Sequence, residues 1–190
     1  MRYKAFISYS HAADGTLAPS LQTALQRFAK RWNQIRAFRI FRDKTSLSVT
    51  PALWSMIENA LEQSEYFILL ASPTAAESPW VDRELEYWLT HRYAEAVVIV
   101  LTEGDLVWDG VHKEFDHARS TALPARLLGA FTEEPLYLDL RWVKTETDVS
   151  MDHPQFRDSV AAVAATLHGC SKEDLVGTEV AEHRKTLRLV

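Results

Sequence analysis

The chain has 190 residues, of which 47% are hydrophobic and 25% charged, a composition that fits one globular domain and excludes a disordered or fibrous protein. A net charge of −5 and a pI near 5.8 disfavour nucleic-acid binding, because that task needs a dense basic face. The single cysteine, Cys170, excludes an internal disulfide, and no apolar run approaches the ~20 residues of a membrane span, so we expect a cytoplasmic protein.

The first third of the chain alternates strand and helix patterns. An aromatic, β-branched strand at 3–9 ends in turn-forming residues at 10–15. An amphipathic helix follows at 16–32, with apolar residues three and four positions apart. A second strand at 37–42 and a polar loop at 43–50 lead to a helix, which is predicted to open at Pro51 because proline suits the first helical turn.

The rest of the chain repeats this alternation. A strand at 66–70 is apolar throughout, which is typical of a parallel strand buried on both faces. A helix at 79–91 follows, with Ser78 as its cap and Pro79 in its first turn. The later predicted elements are a strand at 96–101, an irregular polar segment at 102–121, a short helix at 124–128, a strand at 135–140 and a helix at 153–167.

Five strand–helix units predict a flavodoxin-like, doubly wound α/β fold, with a five-stranded parallel sheet and helices on both faces. Ligands of such folds bind at the carboxyl ends of the strands. We expect this domain to span 1–168. Residues 169–190 differ in composition and end in a basic run, so we expect a helical, basic linker to another domain, which contacts a membrane only if a further segment provides the anchor.

Several chemistries common in α/β folds lack their sequence motifs. There is no Gly-x-Gly-x-x-Gly after the first strand, no P-loop and no Gly-x-Ser-x-Gly nucleophile motif. A phospho-accepting receiver domain needs acids where this chain has 8–10 and 71–73, which contain none. The histidines and the cysteine show no spacing typical of metal ligands, so we predict no metal site.

A carboxylate and an indole remain as candidates at the start of the third predicted helix. Trp80 and Glu84 are four positions apart and therefore share one helical face, just beyond the carboxyl end of a strand. A carboxylate beside an indole at that edge suits a sugar or a cation. Alternatively, Trp80 packs into the core and Glu84 only complements the helix dipole. The spacing leaves both interpretations open.

Several short strings in the sequence resemble a known family. They are Ala5-Phe6-Ile7-Ser8-Tyr9-Ser10, Phe41-Arg42-Asp43, Ser72-Pro73, Ser78-Pro79-Trp80-Val81-Asp82-Arg83-Glu84-Leu85, Leu123-Pro124 and Leu138-Asp139-Leu140-Arg141. In this order they resemble TIR domains, the modules of Toll-like and interleukin receptors, plant immune receptors and bacterial defence proteins. The bacterial members are most similar, over about residues 2–168. One departure lies in the loop 43–50, which lacks the Pro-Gly that often follows Arg-Asp in this family.

The resemblance implies an activity and a site. Enzymatic TIR domains cleave NAD between nicotinamide and ribose without a metal or a further cofactor, and the family's catalytic glutamate falls on Glu84. The resemblance implies that six further residues contact the substrate or support the loop: Trp80, Phe6, Ser8, Tyr9, Arg42 and Asp43. It also implies head-to-tail assembly with other TIR domains that orders the loop 43–50, and a role in bacterial defence signalling. The product, linear or cyclic ADP-ribose, stays open. The alternative is a noncatalytic TIR adaptor that only docks onto other TIR domains.

Overall fold

The computed structural model describes residues 3–32, 39–42, 52–146 and 149–175. The strands are β1 (Tyr3–Ser8), β2 (Ile40–Arg42), β3 (Ser64–Ala71), β4 (Val97–Leu101), β5 (Trp108–Asp109), β6 (Glu114–Phe115) and β7 (Tyr137–Asp139). The α-helices are α1 (His11–Asp14), α2 (Leu17–Trp32), α3 (Leu53–Glu62), α4 (Pro73–Ala76), α5 (Pro79–His91) and α6 (Pro154–His168). Further 3₁₀ turns lie at Ala94–Ala96, Ala125–Leu127 and Arg141–Thr145.

Five strands form one parallel sheet in the order β2-β1-β3-β4-β7. This order is that of a flavodoxin-like doubly wound fold, so the predicted fold class is confirmed. The central strands β3 and β4 are almost continuously buried because helices cover both of their faces. All five strands point their carboxyl ends to the same edge, which we call the carboxyl edge.

The two faces of the sheet build two separate cores. On one face, α2 and α6 pack over side chains that include Ile7 and Tyr9. On the other face, α3 and α5 pack over side chains that include Phe6 and Phe67. The alternation along β1 follows from the two-residue period of a strand. It also means that Ser8 points to the same side as Phe6, toward α3 and α5.

The structure corrects the sequence analysis at several short elements. The turn residues 10–15 contain the helix α1, and α4 begins at Pro73 directly after β3. The segment 102–121 is not wholly irregular, because β5 and β6 pair there as an antiparallel hairpin whose turn includes Lys113 at a positive φ of 54°. The last strand is shorter than predicted, and Pro51, the predicted start of α3, lies outside the described residues.

The C-terminal part of the described chain stays packed on the domain. Helix α6 ends at Gly169, whose φ of 67° is the left-handed conformation that favours glycine at a helix end. Residues 172–175 form one more helical turn, and Leu175 is buried in the α2 and α6 core. Within the described ranges, no helix combines the length and the apolar character needed to cross a membrane.

Candidate functional site

The helix α5 starts at the carboxyl edge because two serine caps direct the chain there. Ser72 follows β3 and its Oγ accepts a hydrogen bond from the backbone N–H of Ala75 at 3.1 Å, which opens α4. Ser78 then caps α5, since its Oγ accepts from the backbone N–H of Val81 at 3.4 Å, and Pro79 fits the first turn. The predicted start of α5 is therefore confirmed, and its first turns lie close to the ends of the strands.

Glu84 is buried in the second turn of α5, with only 2% of its surface exposed. Its Oε2 accepts a hydrogen bond of 2.5 Å from the hydroxyl of Ser8, which ends β1 and is itself fully buried. Burying a carboxylate costs free energy unless hydrogen-bond donors compensate for the lost water, so the Ser8 hydroxyl helps to stabilise Glu84 in its buried position. An acid that only complemented a helix dipole would stay in solvent, and Glu84 does not.

Trp80 lies on the surface of the same helix, with 42% of the residue exposed. Its ring is 6.3 Å from that of Trp54 on α3, centroid to centroid, and the two planes are tilted by 37°. The guanidinium of Arg83 lies 3.7 Å from the centroid of the Trp54 ring. Trp80 is therefore not a core residue, and a planar group can reach its exposed surface.

Phe6 is placed in the core, on the same side of the sheet as Ser8. Its ring stacks between Phe41, at 5.3 Å, and Phe67, at 5.7 Å. The side chain is fully buried. In the described structure Phe6 is therefore part of the core on the α3 and α5 side of the sheet.

Tyr9 and Arg42 meet on the opposite side of the sheet, toward α2. Arg42 Nη1 donates to the Tyr9 hydroxyl at 2.8 Å, and Arg42 Nε donates to Gln22 Oε1 at 3.1 Å. Gln22 in turn donates from Nε2 to the carbonyl of Ile40 at 2.8 Å. This network fixes the end of β2, immediately before Asp43, the remaining predicted site residue, which lies outside the described residues.

A second buried carboxylate at the carboxyl edge has no counterpart in the sequence analysis. Asp14 is 1% exposed, and its Oδ2 accepts a hydrogen bond of 3.0 Å from the hydroxyl of Thr102, directly after β4. Desolvation raises the pKa of Asp14 to about 6, although the Thr102 hydroxyl and the charge of Lys144 oppose the rise. An aspartate among turn-forming residues gave no sign of this contact, because its partner lies 88 residues away.

Asp14 also borders a cavity of about 560 Å³ between the start of α2 and the 3₁₀ turn that follows β7. Its apolar wall includes Leu17 and Val143, so the cavity belongs to the α2 side of the sheet, whereas Glu84 belongs to the α5 side. Among the residues that the structure describes, no cluster of three or more acidic, histidine or cysteine side chains is arranged to hold a metal ion.

The fold and these motifs together define the class of protein. Residues 5–128 match the TIR domain family, and the chain belongs to that family.

Its similarity to individual proteins is as follows. A curated relative from Actinoplanes sp., named NAD(+) hydrolase ApTIR, is 54% identical over 189 residues. That match covers 100% of this chain and 26% of the relative, so the chain spans about a quarter of the relative's length.

Two solved structures are similar to this chain at low sequence identity. The metal-soaked Flv1 flavodiiron core from Synechocystis sp. PCC6803 superposes with a TM-score of 0.51 at 12% identity, over 87% of this chain and 36% of that one. This likeness shows a shared fold alone. The TIR domains of the activated Roq1 resistosome, which recognises the pathogen effector XopQ, superpose with a TM-score of 0.43 at 16% identity, over 95% of this chain and 98% of that one.

Proposed function

We propose that this TIR domain is an NAD nucleosidase that cleaves the bond between nicotinamide and ribose, with Glu84 as its catalytic residue. The observation that carries the proposal is the buried Glu84 carboxylate, which Ser8 holds at the carboxyl edge. A relative that is 54% identical over the whole chain is named an NAD(+) hydrolase, which supports the same substrate.

The proposed chemistry needs one well-placed negative charge. The nicotinamide ring of NAD is cationic, so its bond to the ribose carbon breaks with both electrons going to the ring nitrogen, and neutral nicotinamide leaves. The ribose is left as an oxocarbenium-like cation, which the Glu84 carboxylate stabilises electrostatically. Water then attacks the ribose carbon and loses a proton, which gives ADP-ribose. Attack by a nitrogen of the adenine instead gives a cyclic product. The reaction assigns no role to a metal or a further cofactor.

The other predicted site residues receive different roles in this proposal. Trp80 is half-exposed on the same helix as Glu84 and suits stacking on a flat ring of the substrate. Tyr9 and Arg42 support the loop 43–50, because their hydrogen bond fixes the strand from which the loop starts. Phe6 has a structural role, because its ring stacks with Phe41 and Phe67 in the core next to β1. Asp43 is kept as a candidate for substrate contact.

We infer that self-assembly with other TIR domains activates the enzyme. With Glu84 only 2% exposed, the single domain shields its own catalytic group, so a substrate needs a rearrangement to reach it. Among the described strands, the edge strand β7 pairs with β4 alone, and next to it Leu136 is 98% exposed, features that suit contact with another chain. By family membership we propose head-to-tail assembly in the cytoplasm as part of bacterial defence.

The test measures by chromatography how fast the concentrated 190-residue chain releases nicotinamide from NAD. The variant Glu84→Gln keeps the shape of the side chain and removes its charge. Glu86→Gln is the matched control, because Glu86 lies exposed on the same helix and pairs with Arg126 at 3.3 Å. We expect Glu84→Gln to release nicotinamide at least about a hundredfold more slowly, and Glu86→Gln to match the unaltered protein.

Two results contradict the proposal. Equal release from the unaltered protein and from Glu84→Gln removes Glu84 from the chemistry. No release from the assembled, unaltered protein leaves the noncatalytic TIR adaptor as the function. When release occurs, the mass of the second product distinguishes ADP-ribose from its cyclic form, because the two differ by one water molecule.

A further inference from the structure

We propose that Ser8 is a positioning residue for Glu84: its hydroxyl keeps the carboxylate ionised and fixed in one orientation. The inference rests on the proposed function, since it concerns the group to which that function assigns the chemistry. It gives Ser8 a role other than the substrate contact or loop support that the family resemblance implies.

The geometry favours this role over contact with substrate. Ser8 Oγ donates to Glu84 Oε2 at 2.5 Å, and the two residues are 76 positions apart in the sequence. Ser8 is fully buried, so its hydroxyl is directed at Glu84 and not at the surface. The bond joins the end of β1, in the centre of the sheet, to the second turn of α5.

The backbone beneath Ser8 is well suited to holding a side chain in place. β1 pairs with β2 on one side and with β3 on the other, and Ser8 lies opposite Leu69 of β3. Glu84 is a long side chain with several rotatable bonds, and one hydrogen bond from a fixed strand restricts them. A preorganised charge costs no reorganisation at the moment of reaction, which is where electrostatic catalysis gains most.

The direction of the hydrogen bond also bears on the charge of Glu84. A hydroxyl that donates to a carboxylate favours the ionised form over the protonated form. Only the ionised form stabilises a ribosyl cation. Removing the Ser8 hydroxyl should therefore cost rate at the chemical step, and most strongly at acidic pH, without weakening the binding of NAD.

The experiment compares Ser8→Ala with Ser8→Thr, which restores the hydroxyl, in the 190-residue chain. Ser64→Ala is the matched control, because Ser64 is also a buried serine of the sheet and its hydroxyl donates to the carbonyl of Ala60 at 2.7 Å. We expect Ser8→Ala to lower kcat about 10- to 100-fold with KM unchanged within about twofold. The acidic limb of its pH–rate profile should move to higher pH. Ser8→Thr should recover most of kcat, and Ser64→Ala should show neither effect.

A second readout does not need activity. In protein labelled with carbon-13 at the glutamate carboxyl carbons, the Glu84 signal should titrate at a higher pH in Ser8→Ala than in the unaltered chain. If Ser8→Ala melts well below Ser64→Ala, Ser8→Cys replaces it, since cysteine is close in shape and a weaker donor.

The outcomes separate the two proposals. A raised KM with unchanged kcat makes Ser8 a substrate contact and overturns the positioning role, as does an unchanged Glu84 titration. If the unaltered chain releases no nicotinamide while the Glu84 titration moves as expected, the proposed function fails and the control of Glu84 by Ser8 is supported.

Discussion

Two buried carboxylates lie at the carboxyl edge, on opposite sides of the sheet, and they differ in what surrounds them. Both Glu84 on the α5 side and Asp14 on the α2 side accept a hydrogen bond from a hydroxyl near a strand end, which belongs to Ser8 for Glu84 and to Thr102 for Asp14. The second oxygen of Asp14, Oδ1, has no hydrogen-bond partner among the described residues, and burial raises the pKa of Asp14 to about 6. Glu84 instead shares its helix face with the exposed ring of Trp80. Burial and a hydroxyl partner therefore do not by themselves identify a catalytic acid.

The most direct test of the difference between Glu84 and Asp14 is to neutralise each carboxylate in turn. We expect Glu84→Gln to lower kcat for nicotinamide release by about 10³-fold, because it removes the charge that stabilises the ribosyl cation. Asp14→Asn should change kcat by less than about fivefold, because Asp14 lies on the other side of the sheet.

Steady-state kinetics on assembled protein measures both values. If Asp14→Asn lowers kcat as much as Glu84→Gln does, with an unchanged melting temperature, then Asp14 also takes part in catalysis. The proposed difference between the two acids would then be wrong.

The second prediction concerns stability and its dependence on pH. Burial raises the pKa of Asp14 from an ordinary 3.8 to about 6. Between these values the folded protein binds a proton that the unfolded chain has lost, so the contribution of Asp14 to stability is present below about pH 4 and is lost as the pH rises through about 6. The upper limit of this loss is about 3 kcal/mol.

Urea unfolding of the unaltered chain and of Asp14→Asn at pH 4 and pH 7 measures this term. Relative to Asp14→Asn, the free energy of unfolding of the unaltered chain should be lower at pH 7 than at pH 4, by up to about 3 kcal/mol. Glu77→Gln is the control, because Glu77 is an exposed acid at the end of α4. Parallel profiles for the unaltered chain and Asp14→Asn would show that Asp14 is as well solvated as a surface acid.

The parts of the fold that the sequence predicts are those with long, regular signals. The apolar runs of β3 and β4 and the stripe of α2 cover enough residues to show their period. The start of α5 is predicted because Ser78 and Pro79 form a strong local signal. In contrast, α1 and α4 have four residues each, too few for any period to show. The strands β5 and β6 have two residues each and depend on pairing with one another.

For the candidate site, the sequence proposes individual residues and does not predict the contacts between them. Family resemblance singles out Ser8 and Glu84 separately, but an acid on an amphipathic helix is ordinarily exposed, so its burial against Ser8 is visible only in the folded chain. The bond between Asp14 and Thr102 joins residues 88 positions apart and leaves no trace in local sequence. Long-range pairs of polar groups depend on how the strands are ordered, and local patterns do not encode that order.

The exposed indole is what distinguishes the Glu84 side, and two tryptophans of α5 allow a matched test. Trp80→Ala should raise KM for NAD about tenfold with little change in melting temperature, because Trp80 is 42% exposed and is proposed to stack on the substrate. Trp88→Ala should instead destabilise the fold by about 3–5 kcal/mol, because Trp88 is buried in the α3 and α5 core.

Trp80→Phe keeps a flat ring and should recover most of the affinity. If Trp80→Ala leaves KM unchanged, the ring does not contact NAD. The exposed ring would then no longer distinguish the Glu84 side of the carboxyl edge as the substrate-binding side.

The smallest expected effect lies on the α2 side, at the Tyr9 hydroxyl. Arg42 donates to this hydroxyl at 2.8 Å, so Tyr9→Phe removes one hydrogen bond and should cost about 1 kcal/mol of unfolding free energy. Because Tyr9 points away from Glu84, and Gln22 still holds Arg42 and the end of β2, kcat and KM should both stay within about twofold. Tyr93→Phe, an exposed tyrosine, serves as the control for loss of a hydroxyl. A fall in kcat/KM without a change in stability would show instead that the Tyr9 hydroxyl meets the substrate, and the active site would then extend around the end of β1 to both faces of the sheet.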